Sequence, residues 1–285
     1  MVTPAQRRQA VTELRAAYPV STRRACQLAG LARSRWYAPP ARLAADAALV
    51  TQLATQLDEW PQAGYRQLHL LLTRAGVRVN VKRVHRVYRQ AGLAVRGRRK
   101  GKHVAVPRVP RLAPTAANER WAIDFVADTL RDGRAFRALT IVDEATHECL
   151  AIAVGHALPA VRVIAVFEHL ALIRGRPRAL SLDNGPEFRS IAFDIWAHDH
   201  GTALCFIQPG KPVQNAVIES FNGRLRAECL NSHWFLSLAD AQAVIETWRD
   251  RYNTRRPRRG LGGRTPQEYA AMLSSSEGSP YSKNP

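Results

Sequence analysis

The spacing of apolar residues predicts that residues 4–90 are mainly helical. In residues 80–90, apolar side chains recur every three or four positions, as they do along one face of a helix. Asn80 precedes this segment as a predicted N-cap, and Gly92 ends it. The predicted buried stripe comprises Val81, Val84, Val87 and Tyr88.

Short helices separated by glycine-containing turns occur twice in this part of the chain. Residues 4–17, a segment capped by Ser21 or Thr22, and a basic-aromatic segment from Arg33 make the first set. Residues 46–57, 64–72 and 80–90 make the second. This order is typical of helix-turn-helix proteins. The pattern therefore predicts a helix-turn-helix-like region at residues 1–40 and a second such DNA-binding domain at residues 41–95.

From residue 118 the apolar period changes to that of strands. Trp121, Ile123 and Phe125 alternate with polar or small residues, so they belong to one strand face and Asp124 to the other. The predicted order is β-β-β-α-β-α-β-α-α, a mixed five-stranded sheet flanked by helices, which is similar to ribonuclease-H-like α/β folds. Strands are predicted at residues 121–126, 136–142, 149–154, 179–182 and 203–207, and helices at residues 161–173, 188–200, 214–230 and 238–252.

The charge distribution separates the chain into two parts. The net charge is +19, and residues 1–111 hold 22 Lys and Arg against 4 Asp and Glu, which is +18 of that total. A strongly basic part beside a near-neutral one indicates a polyanion-binding region joined to a region with another task. The residues 96–115 are predicted to be a basic linker that follows phosphates without reading sequence.

Composition excludes several other classes of protein. No apolar run approaches 18 residues and residues 1–9 lack a signal-peptide pattern, so we expect an intracellular, cytoplasmic protein without a membrane partner. The four cysteines are far apart, which argues against a zinc site and against a disulfide framework. We expect them to be buried free thiols.

Three carboxylates form a candidate catalytic and metal site. Asp124 would be costly in the middle of an apolar strand unless something pairs with it. Asp183 follows an apolar run and precedes Asn-Gly, so it is predicted at the end of a strand, and Glu219 lies in a predicted helix. Oxygen ligands without His or Cys favour Mg²⁺ or Mn²⁺. Two such ions about 3.5–4 Å apart support an in-line phosphoryl displacement.

Other carboxylates are weaker candidates. Asp143 and Glu144 lie at a predicted strand end, and Asp128 suits an edge or turn. Glu187 is a possible ligand, but a helix-capping role is favoured.

The motifs around the three carboxylates resemble those of a known family. Trp121-x-x-Asp124-Phe125, the segment 183–188 (Asp-Asn-Gly-Pro-Glu-Phe) and the segment 208–223 carry the resemblance, together with Trp248-x-x-x-Tyr252-Asn253. They are similar to the catalytic second-frame product (OrfB) of IS-three-type insertion-sequence transposases, within the retroviral-integrase superfamily. Thirty-five residues separate Asp183 from Glu219, as in that superfamily. The segment 255–261 departs from the family, because it lacks the His-Ser often found after its proline.

The resemblance implies a DNA strand-transfer enzyme. Such enzymes bind the terminal inverted repeats of their element, cut its 3′ ends with water and use the freed 3′-OH to attack DNA. Expected partners are double-stranded DNA (the repeats and the target), a small upstream OrfA-type protein or a frameshift fusion with it, and further copies of the chain. By the same resemblance, Asp124, Asp183 and Glu219 match the metal-binding triad. The predicted DNA-binding residues are Arg66, Lys82, Arg83, Arg86, Arg89, Arg98, Arg99, Lys100, Lys211, Asn215, Arg224 and Arg226.

Two other functions stay open at this point. A related nuclease or junction resolvase would hydrolyse DNA without joining it, and a transposase-derived regulator would bind DNA without catalysis. The catalytic core is predicted at residues 116–272, followed by a disordered tail at residues 273–285.

Overall fold

The computed structural model describes residues 4–37, 41–94, 113–183, 185, 188–207 and 215–277. Six described helices precede the sheet, in the two sets of three that the sequence predicts. In the first set, Ser21 caps its helix by accepting a hydrogen bond from the Arg24 backbone N–H at 3.3 Å. The helices are α1 (Pro4–Ala17), α2 (Thr22–Leu28), α3 (Arg33–Tyr37), α4 (Ala41–Glu59), α5 (Tyr65–Arg74) and α6 (Val81–Gln90).

The second set encloses its own apolar core. Leu53 and Leu68 are fully buried between α4, α5 and α6, and Trp60 is buried in the same cluster. The Asn80 side chain caps α6 by accepting from the Lys82 N–H at 2.8 Å, as predicted. The prediction for Val81 is wrong, because this residue is 38% exposed. As the first residue of α6, it precedes the part of the helix that packs on α4 and α5.

The described residues after 112 include a five-stranded mixed sheet in the order β3-β2-β1-β4-β5. The first three strands are antiparallel neighbours, whereas β4 and β5 are parallel to β1 and to each other. The strand order along the chain is the predicted one. The strands are β1 (Arg120–Thr129), β2 (Ala135–Asp143), β3 (Cys149–Gly155), β4 (Ala179–Leu182) and β5 (Ala203–Phe206).

Helices cover both faces of this sheet. Successive side chains of β1 point to opposite faces, and the apolar ones pack on helices on each side. Trp121 and Ile123 pack in an aromatic cluster with Phe167 of α7 and Phe193 of α8. On the other face, Ala122 and Val126 pack with α9 and α10. The helices are α7 (Ala160–Arg174), α8 (Ile191–Asp199), α9 (Ala216–Glu228), α10 (Leu238–Thr254) and α11 (Pro266–Glu277).

The segment after α10 turns back onto the helical unit. The Gln67 side chain of α5 donates to the Pro257 carbonyl at 2.9 Å, and Arg74 forms an ion pair with Glu268. Arg251 of α10 donates to the Glu59 carbonyl at 2.6 Å and lies over the Trp60 ring. The chain from α10 to α11 therefore connects the five-stranded sheet to the second helical set.

Two of the boundaries that differ from the sequence prediction have a clear structural reason. Helix α8 begins at Ile191 rather than at residue 188, because Ser190 caps it by accepting from the Phe193 N–H. Helix α11 extends to Glu277, so residues 273–277 are not part of a disordered tail. Ser274 and Ser275 bond back to carbonyls four residues earlier, which is compatible with helix. The basic linker prediction for residues 96–115 falls mostly outside the described residues.

The described residues also bear on the membrane and cysteine predictions. None of their helices is long and apolar enough to cross a membrane. All four cysteines are free thiols; three are buried and Cys205 is half-buried.

Candidate active site

Asp124 lies in the central strand, on the sheet face that α9 covers. It stands opposite Thr140 of β2, and the Thr140 hydroxyl donates to the Asp124 backbone carbonyl at 3.0 Å. Its carboxylate accepts two further hydrogen bonds, from the Phe125 N–H and from the Asn222 amide, both at 2.8 Å. The strand and the neighbouring helix therefore both fix this carboxylate.

Asp183 is the first residue after β4, at the strand end where it was predicted. In the parallel pairing of β1 with β4, Ala122 stands opposite Ser181. Continuing this register for two residues brings Asp124 level with Asp183, on strands about 4.8 Å apart. The Asp183 carboxylate accepts a hydrogen bond from the Gly185 N–H at 2.9 Å, which holds the start of the following turn.

Glu219 is in the first turn of α9, and its side chain is exposed. A carboxylate is favourable at a helix N-terminus, where the backbone N–H groups have no partner within the helix. The helix packs its apolar residues Ile218, Phe221 and Leu225 on the sheet. This helix packs on β1 and β2, so its first turn lies close enough to Asp124 for the Glu219 charge to act on it.

Burial and the two neighbouring carboxylates raise the pKa of Asp124. Burial is the largest cause that raises it above its ordinary value, and the negative charges of Asp183 and Glu219 raise it further. The hydrogen bonds from Phe125 and Asn222 act in the opposite direction but do not outweigh these effects. A half-buried carboxylate beside two like charges is costly without a counter-charge, and groups with perturbed pKa values concentrate at functional sites.

The donor set suits a hard divalent cation, although its members do not surround a common point. Within the described part of the chain, no group of three His, Cys, Asp or Glu side chains is close enough to hold a metal ion as they stand. The available donors are carboxylate oxygens, which Mg²⁺ and Mn²⁺ prefer. A cation near Asp124 would also offset the repulsion that raises its pKa. The residue types and their electrostatic coupling therefore fit such an ion.

Sequence reasoning did not select Asn222 as a site residue. Its amide donates to Asp124 Oδ2, and its carbonyl oxygen accepts from the Thr140 hydroxyl at 3.0 Å. Asn222 lies three residues after Glu219, which places both on neighbouring turns of one helix face. That spacing was the signal in the sequence. The Thr140–Asn222–Asp124 network links the helix that carries one carboxylate to the strand that carries another.

The alternative carboxylates have structural partners. Asp143 is fully buried and accepts hydrogen bonds from the backbone N–H groups of Asn118, Ala145 and Thr146. Glu144 forms an ion pair with Arg120 at 2.7 Å. Asp128 accepts from the backbone of the next residue. Glu187 lies outside the described residues.

Two of the predicted DNA-binding residues of α6 are paired with an acid. Arg83 and Arg86 both contact the Asp46 carboxylate of α4, at 3.0 and 2.9 Å. The sequence gives no acidic partner within α6, because this one comes from a helix more than thirty residues earlier. Lys82 and Arg89 are exposed on the same helix. They are the α6 cations best placed to meet a phosphate.

The other predicted DNA-binding residues occupy different places. Arg226 is exposed and donates to the Ala127 carbonyl at the end of β1. Asn215 precedes α9 and is 8% exposed, and its side-chain oxygen has no hydrogen-bond partner within the described residues. Arg66 and Arg224 line a common cleft. Arg98, Arg99, Lys100 and Lys211 lie outside the described residues.

The chain matches known families over most of its length. Residues 114–212 and 200–266 match two models described as integrase core domain, and residues 44–102 match an HTH-like domain. The chain is 46% identical over 252 residues to an insertion element IS407 protein of Burkholderia multivorans, across 88% of this chain and 91% of that one. It is 43% identical over 270 residues to an insertion element IS476 protein of Xanthomonas euvesicatoria, across 95% and 78%. The chain belongs to the IS-three-type insertion-sequence transposases.

The fold of this transposase is also that of a retroviral integrase core. A chain from a cryo-electron microscopy structure of the simian T-cell lymphotropic virus intasome with PP2A regulatory subunit B56 gamma superimposes with a TM-score of 0.51. The two share 17% identity, and the match covers 80% of this chain and 76% of that chain. The likeness confirms the predicted ribonuclease-H-like sheet, and the HTH-like match confirms one of the two predicted helical domains before it. At the level of the family, the transposase acts on DNA.

Proposed function

We propose that this transposase cleaves the 3′ ends of an insertion sequence at its inverted repeats and transfers the freed strands, with Asp124, Asp183 and Glu219 as its catalytic residues. The observation that supports this most strongly is the parallel register of β1 and β4, which brings Asp124 level with Asp183, while Glu219 lies in the first turn of the helix that packs on β1. They are the acids that the family motifs mark. Their placement gives one region of the fold where a polynucleotidyl transfer would be catalysed.

The three carboxylates would hold Mg²⁺ or Mn²⁺, with two ions in each active site. When bound, such ions activate the attacking oxygen and stabilise the leaving oxygen of an in-line displacement at phosphorus. The chain's own contribution is positioning. Asn222 and the Phe125 N–H fix both oxygens of Asp124, while the turn at Gly185 holds Asp183.

The helical units would bring DNA ends to this site. Lys82 and Arg89 are exposed cations on α6, and Arg66 is exposed at the start of α5. Contacts of this kind fix the position of DNA through its phosphates. Arg98, Arg99, Lys100 and Lys211, together with Asn215 and Arg226 beside or within α9, would add further contacts. An OrfA-type partner and further copies of the chain would assemble on the paired ends.

A strand-joining assay with labelled element ends and Mg²⁺ tests this function. The wild-type chain is expected to give joined products, and Asp183→Asn is expected to abolish joining while DNA binding persists. Asp132→Asn is the matched control, because it removes an exposed hairpin carboxylate that pairs only locally with Arg134. The control should join at the wild-type rate.

The other outcomes separate the alternatives. Hydrolysis of the ends without joining would favour a nuclease or resolvase with the same fold. Binding without either product would favour a DNA-binding regulator. Loss of DNA binding in Asp183→Asn would show that the site is misassigned.

A further inference from the structure

A cationic cleft lies where the start of α5, helix α9 and the segment after α10 meet. Its volume is about 470 Å³, and its lining includes Arg66 of α5, Arg224 of α9 and three arginines of the segment after α10. His147 also lines the cleft. The three further arginines are Arg256, Arg258 and Arg259. Sequence reasoning selected the first two arginines separately and none of the last three.

Only one of these five guanidinium groups has a carboxylate partner within the described residues. Arg256 forms a two-pronged ion pair with Glu228, at 3.1 and 2.5 Å. Arg258 donates to the Tyr252 hydroxyl at 2.6 Å, and Arg224 donates to the backbone carbonyl and hydroxyl of Ser220. These neutral acceptors fix the guanidinium groups without neutralising them. The described lining residues of the cleft include no Asp or Glu.

The protein holds these charges together at a cost. Burial lowers the pKa of Arg224, and the positive charges of Arg258 and Arg256 lower it further. The His147 pKa is lowered to about 4 by burial first and then by Arg258 and Arg224. His147 Nδ1 is also buried without a hydrogen-bond partner in the described structure. Gathered cations of this kind are stabilised by an anion, and the planar guanidinium fork matches a phosphate.

The backbone at the start of α5 adds donors to the same wall. Gly64 precedes the helix and supplies no side-chain cap, so the first N–H groups of α5 keep their capacity to bind an anion. Gly64, Tyr65 and Arg66 all line the cleft. Helix α5 belongs to the HTH-like domain, whereas Arg224 belongs to the helix that carries Glu219. A ligand in the cleft would therefore contact both units.

We propose that this cleft binds a phosphodiester of the DNA backbone at a site separate from the three carboxylates, and thereby ties the HTH-like unit to the catalytic helix when DNA is bound. The inference rests on the proposed function, which supplies DNA as the ligand. Arg224 lies five residues after Glu219, about 140° further round the helix. A strand that passes along α9 would meet the active site on one side and the cleft on the other.

DNA binding at several salt concentrations tests this proposal in the full-length chain. The background is Asp183→Asn, so that cleavage does not disturb the equilibrium. The test variant is Arg66→Gln with Arg259→Gln, because both side chains are exposed and their loss leaves the fold intact. The control is Arg176→Gln with Arg255→Gln, which removes the same charge from exposed positions outside the cleft. Thermal melting checks that both variants fold.

The expected result is a change in salt dependence. Loss of two phosphate contacts lowers the slope of log K against log salt by about 1.8, so the fall in affinity from about 50 to about 200 mM salt should shrink about twelvefold. The control should keep the parent slope. Equal slopes for the test and control variants would overturn the proposal. Melting curves with added inorganic phosphate or duplex DNA give a second check: if phosphate raises the melting temperature as much as DNA does, the cleft is not a DNA site. If the wild-type chain joins strands but the two variants have equal slopes, only the phosphodiester site in the cleft is refuted. If the wild-type chain does not join strands, the proposed function is refuted.

Discussion

The substitution Asn222→Ala tests the link between α9 and the central strand β1. It removes the 2.8 Å bond to the Asp124 carboxylate and the 3.0 Å bond from the Thr140 hydroxyl. Thr140 keeps its bond to the Asp124 carbonyl, so its hydroxyl is not left without an acceptor. A hydrogen bond to a charged group contributes about 1.5–3 kcal/mol, so we expect a loss of about 2 kcal/mol at neutral pH.

Urea unfolding without divalent cations measures this loss. For a domain of this size, it corresponds to a fall in melting temperature of about 4–8 °C. Asn231→Ala is the matched control, because Asn231 is exposed and its loss should change stability by less than about 0.5 kcal/mol. The same Asn222→Ala change is then made in an Asp124→Asn background, where the bond joins two neutral amides and its loss should cost only about 1 kcal/mol.

The cost of Asn222→Ala in the wild-type and Asp124→Asn backgrounds decides whether Asn222 acts through the Asp124 charge. If Asn222→Ala costs the same in both backgrounds, to within about 0.5 kcal/mol, the side chain does not act through the Asp124 charge. If Asn222→Ala is as harmless as Asn231→Ala, the bridge between α9 and β1 does not hold. Either outcome would refute the description of Asn222 as a positioning residue.

Three further predictions concern charge and packing. Asp124→Asn should raise the melting temperature at neutral pH without metal, because the raised folded-state pKa of Asp124 makes the wild type lose stability as the pH rises through that pKa. The gain should vanish in acid, where the wild-type carboxyl is protonated. An equal gain at all pH values would contradict this cause. The folded-state pKa of His147 is lowered to about 4 from 6.5, so the wild type should lose stability as the pH falls from about 6.5 to 4. Melting curves of His147→Asn should lack this loss of stability in acid. Asn is chosen because it tolerates the left-handed backbone conformation of residue 147. Leu53→Ala should cost about 2–5 kcal/mol in the HTH-like unit and weaken DNA binding, measured by melting and by anisotropy; wild-type stability would contradict the burial of Leu53.

The sequence predicts the sheet and the three carboxylates because the relevant signals are local. The alternation around Asp124 marks a strand, and Asp183 follows a short apolar run, so both positions depend on neighbours within a few residues. The Asn80 and Ser21 caps are local in the same way. The sequence could also have indicated Asn222, because it follows Glu219 by about one helical turn.

The charged surfaces depend on contacts between distant residues, which periodicity does not carry. Arg83 and Arg86 have the pattern of a free cationic face, yet Asp46 of another helix pairs with both. The cleft exists because α5 packs on the segment after α10, and the contact of Gln67 with Pro257 spans 190 positions. Composition showed that the chain is basic. It did not show which arginines share one cavity.

The rate of strand joining tests the central claim most directly. A pre-cleaved element end, supplied with target DNA and Mg²⁺, requires only the transfer step. The account predicts joined product from the wild-type chain and none from Asp124→Asn, Asp183→Asn or Glu219→Gln, with end binding unchanged in all three variants. Joined product from any one of these three variants at the wild-type rate would contradict the assignment of that carboxylate to the active site.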